Sequence, residues 1–259
     1  MYSTLPLFKS HFSLGKSILT LEAPTCKESY PVSIFDLLVA NKLKILPLVD
    51  DNISGLLQAS KNAKENKIKL MFGLRLFFTE DCLNQNEDSL KKRARYIIFA
   101  KNPNGYKDLL RLWSFAAKDG FYYTPCLDFK QLKKLWTDNL SLVVPFYDSF
   151  LYLNTFYSHQ HVPDFSFTSP VFLQEDNNLP FDSLLLNRVI DFTTSKKFPI
   201  MPAQSIYYKN EDDFLAYITF RCIHNRGHSS KSTVERPELD HMGSNTFNFK
   251  RWLKNNQTA

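Results

Sequence analysis

The chain alternates strand-length apolar runs with amphipathic stretches of helical period, and no other feature limits its fold so tightly. LPLF (5–8) leads to the helical SIFDLLVANKL (33–43), ILPLVD (45–50) to GLLQASKNAKEN (55–66), and then comes IKLMFGLRLFF (68–78). RYIIFAKN (95–102) precedes a helix with apolar Tyr106, Leu109, Leu110, Leu112 and Trp113, and FKQLKKLW (129–136) precedes LSLVVPF (140–146). PVFLQE (170–175), DSLLLNRVIDFTTSK (182–196), PIMPAQS (199–205) and DDFLAYITFRCI (212–223) continue the rhythm. Nearly continuous apolar runs are strands buried on both faces, which is how βα units build a parallel sheet. About seven such strands can close into a barrel, and barrels carry their chemistry at the C-terminal ends of the strands. The residues that end each run are therefore the ones to inspect.

Two segments break the rhythm. TEDCLNQNEDSLKK (79–92) is polar and acidic and reads as a solvent-exposed excursion. FLYLNTFYSHQHVPDFSFTSP (150–170) is rich in Phe and Tyr, holds two prolines, and is too irregular for a helix, so it reads as a long loop folded over the barrel. Beyond Ile223 the sequence turns polar until FNFKRW, which divides the chain into a barrel over 1–223 and a C-terminal extension over 224–259.

Several function classes drop out. Seven glycines form neither GxGxxG nor GxxxxGK[ST], so neither a dinucleotide site nor a P-loop is supported. A GxSxG elbow and an HExxH helix are missing as well. Cys26, Cys82, Cys126 and Cys222 are far apart, without a CxxC pair, and read as reduced cytosolic thiols. No apolar run approaches the roughly 18 residues of a membrane span, and MYSTLPLFKSHF has no secretory layout. The net charge of +6 is mild. Lysines such as Lys61, Lys64, Lys130, Lys133 and Lys134 fall on helix faces, and solvation explains them better than a nucleic-acid stripe.

The opening LFKSHFSLGKS resembles HxHSxYSLxDG, the start of the PHP domain (polymerase and histidinol phosphatase) of bacterial DNA polymerase III alpha subunits. The stretch from SIFDLL to LRLFF resembles that family's helix, its "ALTDHGN..G" strand end, the next helix and "IKPIIGCEV". RYIIFAKNPNGYKDLLRLWSFAAKDGFYYTPCLD resembles "HLVLLAKNEEGYRNLLKLVSLA..EGFYYKPRID", and KFPIMPAQSIYYKNEDDFLAYITFRCI resembles "LPLVATNDVHYLNPEDAEAHDILLCI". The resemblance implies an α/β fold, a distorted (β/α)7 barrel, whose strand ends hold divalent metals for phosphoester hydrolysis. Carried over by position, the metal-ligand pattern is degenerate. Its opening histidines fall on Leu7 and Lys9, and the next acid falls near Lys16. Its Asp-His pair becomes Asp50-Asp51, the acid after the third strand Arg75, the histidine opening the fourth Arg95, and the closing Asp-x-His becomes Ser205-Ile206-Tyr207.

Fixed positive charge thus comes to the place where cations would sit, at a cost of several kcal/mol to any divalent ion. The expectation is that no cofactor binds and that Asp50 forms an internal salt bridge with Arg75 or Lys9. Residual metal candidates are His11, Asp50 and Asp51, although neighbouring carboxylates point apart on a strand and Asp51 suits a turn or helix cap. Cys222, His224, His228 and His241 have spacing that a structural zinc site can use, against an ordinary polar loop. Phe121, Tyr122, Tyr123 and Trp136 could stack bases, against a core role.

The chain stops at Ala259, so no polymerase palm is expected in it. The resemblance implies a catalytically inactive scaffold or interaction module of DNA replication, phage-encoded by its style, in a bacterial or phage-infected cytoplasm. Implied partners are a replicative DNA polymerase polypeptide or a proofreading exonuclease, with weak nucleic-acid contact and no membrane. The alternative is a phosphoesterase or 3′–5′ exonuclease with an altered zinc or manganese site.

Overall fold

The computed structural model describes residues 3–22, 31–225, 233–235 and 244–257. The elements run β1 (Leu5–Phe8), α1 (Ile34–Ala40), β2 (Ile45–Asp50), α2 (Leu56–Glu65), β3 (Lys69–Phe78), α3 (Glu87–Lys91), β4 (Ala94–Ala100), α4 (Pro103–Lys118) and β5 (Cys126–Leu127). They continue α5 (Phe129–Leu135), β6 (Leu140–Val144), α6 (Phe150–Phe156), β7 (Val171–Gln174), α7 (Asp182–Lys196), β8 (Ile200–Ile206), α8 (Phe214–Asn225) and α9 (Phe249–Gln257). The strand order β2-β1-β8-β7-β6-β4-β3 closes through the pairing of β2 with β3, and β5 adds outside the ring along β3. The expected seven-stranded barrel is the fold.

One strand differs from the all-parallel reading: β4 runs antiparallel to both β3 and β6. A short apolar run carries no sign of its direction, so periodicity could not reveal this. The reversal puts the first residues of β4, not its last, at the end of the barrel where the parallel strands finish. We call that end the mouth.

Alternation along each strand divides the apolar side chains into two cores. Leu7, Val49, Ile97, Phe99, Val143, Leu173 and Ala203 point inward and fill the barrel. Leu46, Leu48, Phe72, Leu74, Tyr96, Ile98 and their neighbours point outward and pack under the helices. Gly73 faces inward, where a Cβ would stand 2.8 Å from the Phe99 ring and 2.9 Å from Ile97. Its missing side chain is what lets Phe99 occupy the interior.

Several helices start at side chains that cap them. The Ser33, Asn102 and Asp128 side chains accept from Phe35, Gly105 and Gln131 N–H at the starts of α1, α4 and α5. The same device corrects the reading of 150–170. Ser149 accepts from the Tyr152 N–H, and Phe150–Phe156 is helical. Farther along that segment Phe165 packs against Phe129, Phe150 and Phe172, so its ring is part of the core. The 79–92 excursion holds the short α3, and its Cys82 is buried, donating its N–H to Asp128 Oδ2 at 2.9 Å.

Residues 244–257 return to the barrel. The Phe249 N–H donates to the Tyr208 carbonyl at 3.0 Å, and the Phe249 and Phe8 rings lie 5.9 Å apart. Trp252 is wholly buried and donates its indole N–H to the Thr4 carbonyl at 2.9 Å. Helix α9 thereby covers the outside of β1.

Candidate functional site

At the mouth the inward-facing register continues into polar residues. Lys9 follows Leu5 and Leu7 on one face, Asp51 follows Val49, and Arg75 follows Met71 and Gly73. Arg95 lies directly across the sheet from Phe77, and its guanidinium sits 4.3 Å from that ring centroid. The structure brings together Lys9, Asp51, Arg75 and Arg95, as the positional reading placed them, and adds Asp148 from the turn after β6.

Asp51 is the shared anion. Lys9 Nζ donates to Asp51 Oδ1 at 2.6 Å, Arg75 Nη1 stands 3.9 Å from the same oxygen, and Arg95 Nη1 stands 4.0 Å from Oδ2. Asp148 is the second anion, bonded by Arg75 Nη2 and 3.9 Å from Arg95 Nη1. The Arg95 N–H also donates to the Asp148 carbonyl at 2.8 Å, which fixes the turn that carries this carboxylate.

The expected pairing of Asp50 with Arg75 or Lys9 is therefore corrected: Asp51 makes those contacts. Parity is the reason. Asp50 shares the outward face of Leu46 and Leu48, so its carboxylate turns away from the barrel axis. There it accepts from the Ser10 N–H at 2.9 Å, the Ser10 hydroxyl at 2.6 Å and the Ser13 hydroxyl at 2.7 Å, tying the loop after β1 to the end of β2. The turn role assigned to Asp51 thus belongs to Asp50.

Opposite this cluster stands Glu175, at the end of β7 and 5% exposed. It accepts from the Ser205 N–H at 2.9 Å, the Ser205 hydroxyl at 2.8 Å and Asn177 Nδ2 at 3.2 Å. The positional reading found Ser205 but missed its partner, and it missed Asp148 too. The signal was present: Glu175 ends the PVFLQE run, and Asp148 lies just past LSLVVPF. Tyr207 is buried beside this group, its ring stacked on Tyr217 and Phe247 at 5.8 and 5.4 Å. Leu7 lies one layer deeper, within the apolar interior.

Burial and charge act against each other here. Burial alone would raise the Asp51 carboxyl, but Lys9, Arg75 and Arg95 hold it well below the usual carboxylate range. Asp50 and Glu175 are shifted upward, first because they are buried. Burial pulls the Lys9 ammonium down to about 8, with Arg75 acting in the same direction and Asp51 and Asp50 opposing.

A pH test follows. Between about 8 and 10.5 the unfolded chain keeps a proton on Lys9 that the folded chain has lost, so stability rises with pH through that window. Unfolding free energies of the wild type and Lys9→Met should diverge there by about 3 kcal/mol in favour of the wild type. Parallel curves in denaturant titrations would contradict the assignment.

Other sequence candidates lie elsewhere. The His11 ring lies tilted against Phe12 at 4.4 Å, and its buried Nδ1 has no hydrogen-bond partner among the described residues. Lys16 sits in the turn that its N–H closes onto the Ser13 carbonyl. Cys222 is buried on α8, and the imidazole of His224 rests where a Cβ on Gly15 would collide; His228, His241 and Cys26 lie outside the described residues. Of the aromatic set, Trp136 packs on Phe167 and Tyr122 against Tyr123. Phe121 and Tyr123 are 56% and 70% exposed, which corrects the core role expected of them.

A divalent cluster does not suit the donors that meet at this mouth. Among the described residues no three His, Cys, Asp or Glu side chains converge to hold a metal ion. Lys9 and Arg75 line a small, partly open space with Glu175, Ser205 and Tyr207, and its volume is about 30 Å³. Asp51 and Asp148 already serve three cations, and a dication beside them would meet several kcal/mol of repulsion.

Comparison with known proteins gives one consistent answer. The PHP domain profile matches residues 30–163, just over half of the chain. The DNA polymerase III subunit alpha of Aquifex aeolicus is 25% identical over 188 residues, covering 66% of this chain and 16% of that protein. The subunit alpha of Borreliella burgdorferi is 36% identical over 85 residues, 32% of this chain and 7% of its own length. That of Helicobacter pylori strain 26695 is 33% identical over 108 residues, 37% of this chain and 9% of its own length. The chain thus spans less than a fifth of the length of these relatives. Among the described residues no helix is long and apolar enough to cross a membrane.

Proposed function

We propose that this chain, which belongs to the PHP domain family and is related to the DNA polymerase III alpha subunit, works as a non-catalytic barrel that docks other replication polypeptides. One observation carries the reading: Lys9, Arg75 and Arg95 converge on Asp51 and Asp148 at the place where the family's metals would sit. Hydrolysis of a phosphoester by a metal cluster needs cations that polarise the phosphate and deprotonate an attacking water. Ammonium and guanidinium groups can bind an anion, but they do not supply the divalent cations through which such a cluster activates its water. The ion-pair cluster has the opposite use, closing the mouth and holding strands β1 to β4 in register. The surfaces outside it are then what the barrel offers.

The partners that fit are a replicative polymerase polypeptide and a proofreading exonuclease, which remain the family-based assignment, as does a phage source. The competing reading is a phosphoesterase built on Asp51, Asp148 and Glu175. Metal analysis of the purified chain, with a nuclease assay in manganese, separates the two. The docking reading expects no stoichiometric zinc or manganese and no nuclease activity above background. Stoichiometric metal together with activity that vanishes in Glu175→Gln would establish the competitor.

A further inference from the structure

At the end of the barrel opposite the mouth the inward side chains leave an apolar pit of about 480 Å³. That is the size of pockets that bury a small ligand or a few side chains. Its wall is the lowest interior layer, with Leu5, Met71, Phe99, Val143, Val171 and Met201. The layer above is packed by Leu7, Val49, Ile97, Leu173 and Ala203. Below it the packing is incomplete: Leu5, Met71 and Val171 are only partly buried, and Met201 is 40% exposed. Flexible thioethers in such a wall adapt to whatever side chain enters.

The rim is cationic. Lys44 precedes β2, Lys67 and Lys69 open β3, Lys101 follows the reversed β4, and Lys196 and Lys197 precede β8, all of them exposed. Lys69 and Lys101 line the pit itself. The carboxylates on the same connections are Glu65, at the end of α2, and Asp138, before β6. Helix dipoles account for Lys196 and Lys197 at the end of α7, and Lys101 Nζ donates to the Asp138 carbonyl at 3.1 Å, while Lys44 and Lys69 stand at the starts of strands.

We infer that this end of the barrel docks an acidic protein segment that inserts large apolar side chains into the pit. Apolar anchors in a desolvated pocket supply affinity, and complementary charge at the rim supplies steering and orientation. A nucleic-acid backbone would satisfy the lysines but leave the pit open. Of the rings in its wall, Phe99 is 7% exposed and Tyr106 is partly buried with its hydroxyl donated to the Leu70 carbonyl at 3.1 Å. The inference deepens the docking reading above, yet it uses no residue of the mouth, so either can fail alone.

The test is to pan a random-peptide display library against the full chain and measure the selected peptides by fluorescence anisotropy. Selected sequences should combine Asp or Glu flanks with Leu, Ile, Met, Phe or Trp. Their affinity should fall at least tenfold in Met201→Asp and in the double variant Lys69→Glu/Lys101→Glu, with thermal melts unchanged. Peptides lacking that pattern, or binding indifferent to both variants, would overturn the inference. So would a single-stranded oligonucleotide that binds the rim as tightly and keeps its affinity in Met201→Asp. Metal content read on the same preparation reports on the mouth independently.

Discussion

Asp51→Ala should lower the melting temperature of the chain by about 10 °C, although the substitution removes only one small side chain. Lys9 and Arg75 are 4% and 6% exposed at their side chains, and Arg95 is 14% exposed. Without Asp51, Lys9 loses its 2.6 Å partner, and both arginines lose one of their two neighbouring carboxylates. Stripping the counter-charge from a buried ionic group costs about 3–5 kcal/mol, and a chain of this size loses about 2–4 °C per kcal/mol. The reciprocal change is milder. Lys9→Met leaves Asp51 with Arg75 and Arg95 and fills the same space with an apolar chain, so it should move stability by about 1 kcal/mol or less at neutral pH. That asymmetry identifies Asp51 as the hub: if Lys9→Met were the more damaging variant, the assignment would be wrong.

Trp252→Ala is the second large effect. The indole is fully buried, stacks on Phe249 at 5.6 Å and donates to the Thr4 carbonyl. Removing it empties a large part of the contact between α9 and β1, and it leaves the Thr4 carbonyl without its donor. A loss of about 3–5 kcal/mol is expected, measured by denaturant unfolding. A loss below about 1 kcal/mol would mean that α9 contributes little to the barrel wall. Asn256, which accepts from the Ser3 hydroxyl at 3.0 Å, fastens the same helix farther along.

The barrel was legible because its strands are apolar on both faces and its helices are amphipathic, a pattern that depends on burial alone. Strand direction was not legible, since β4 carries the same apolar signature either way round. Helix α6 was obscured by aromatic residues with little helix preference and by the prolines beyond it. Its N-cap, Ser149, was the overlooked cue. At the mouth, the positions of Lys9, Arg75, Arg95 and Ser205 could be read from the resemblance, and their partners could not. Parity along β2 separates Asp50 from Asp51, but choosing which one faces inward requires knowing that Val49 belongs to the barrel interior. Glu175 and Asp148 come from turns after β7 and β6, and only closure of the ring brings them to the cluster.

This geometry gives the degenerate motif a physical meaning. Lost metal ligands would leave a cavity of unpaired acids if the substitutions were arbitrary. Here each new cation has an acid within 4.0 Å, and two further buried acids at the mouth, Asp50 and Glu175, are held by hydroxyl and amide donors. Arg95 Nη1, 4.0 and 3.9 Å from the Asp51 and Asp148 carboxylates, is the buried cationic atom of the set that makes no hydrogen bond among the described residues.

Anomalous diffraction from crystals grown in manganese tests this most directly. The account predicts no anomalous peak at the barrel mouth, with Lys9 within hydrogen-bond distance of Asp51 and Arg75 of Asp148. A manganese peak among Asp51, Asp148 and Glu175, with the lysine and arginines swung aside, would contradict it.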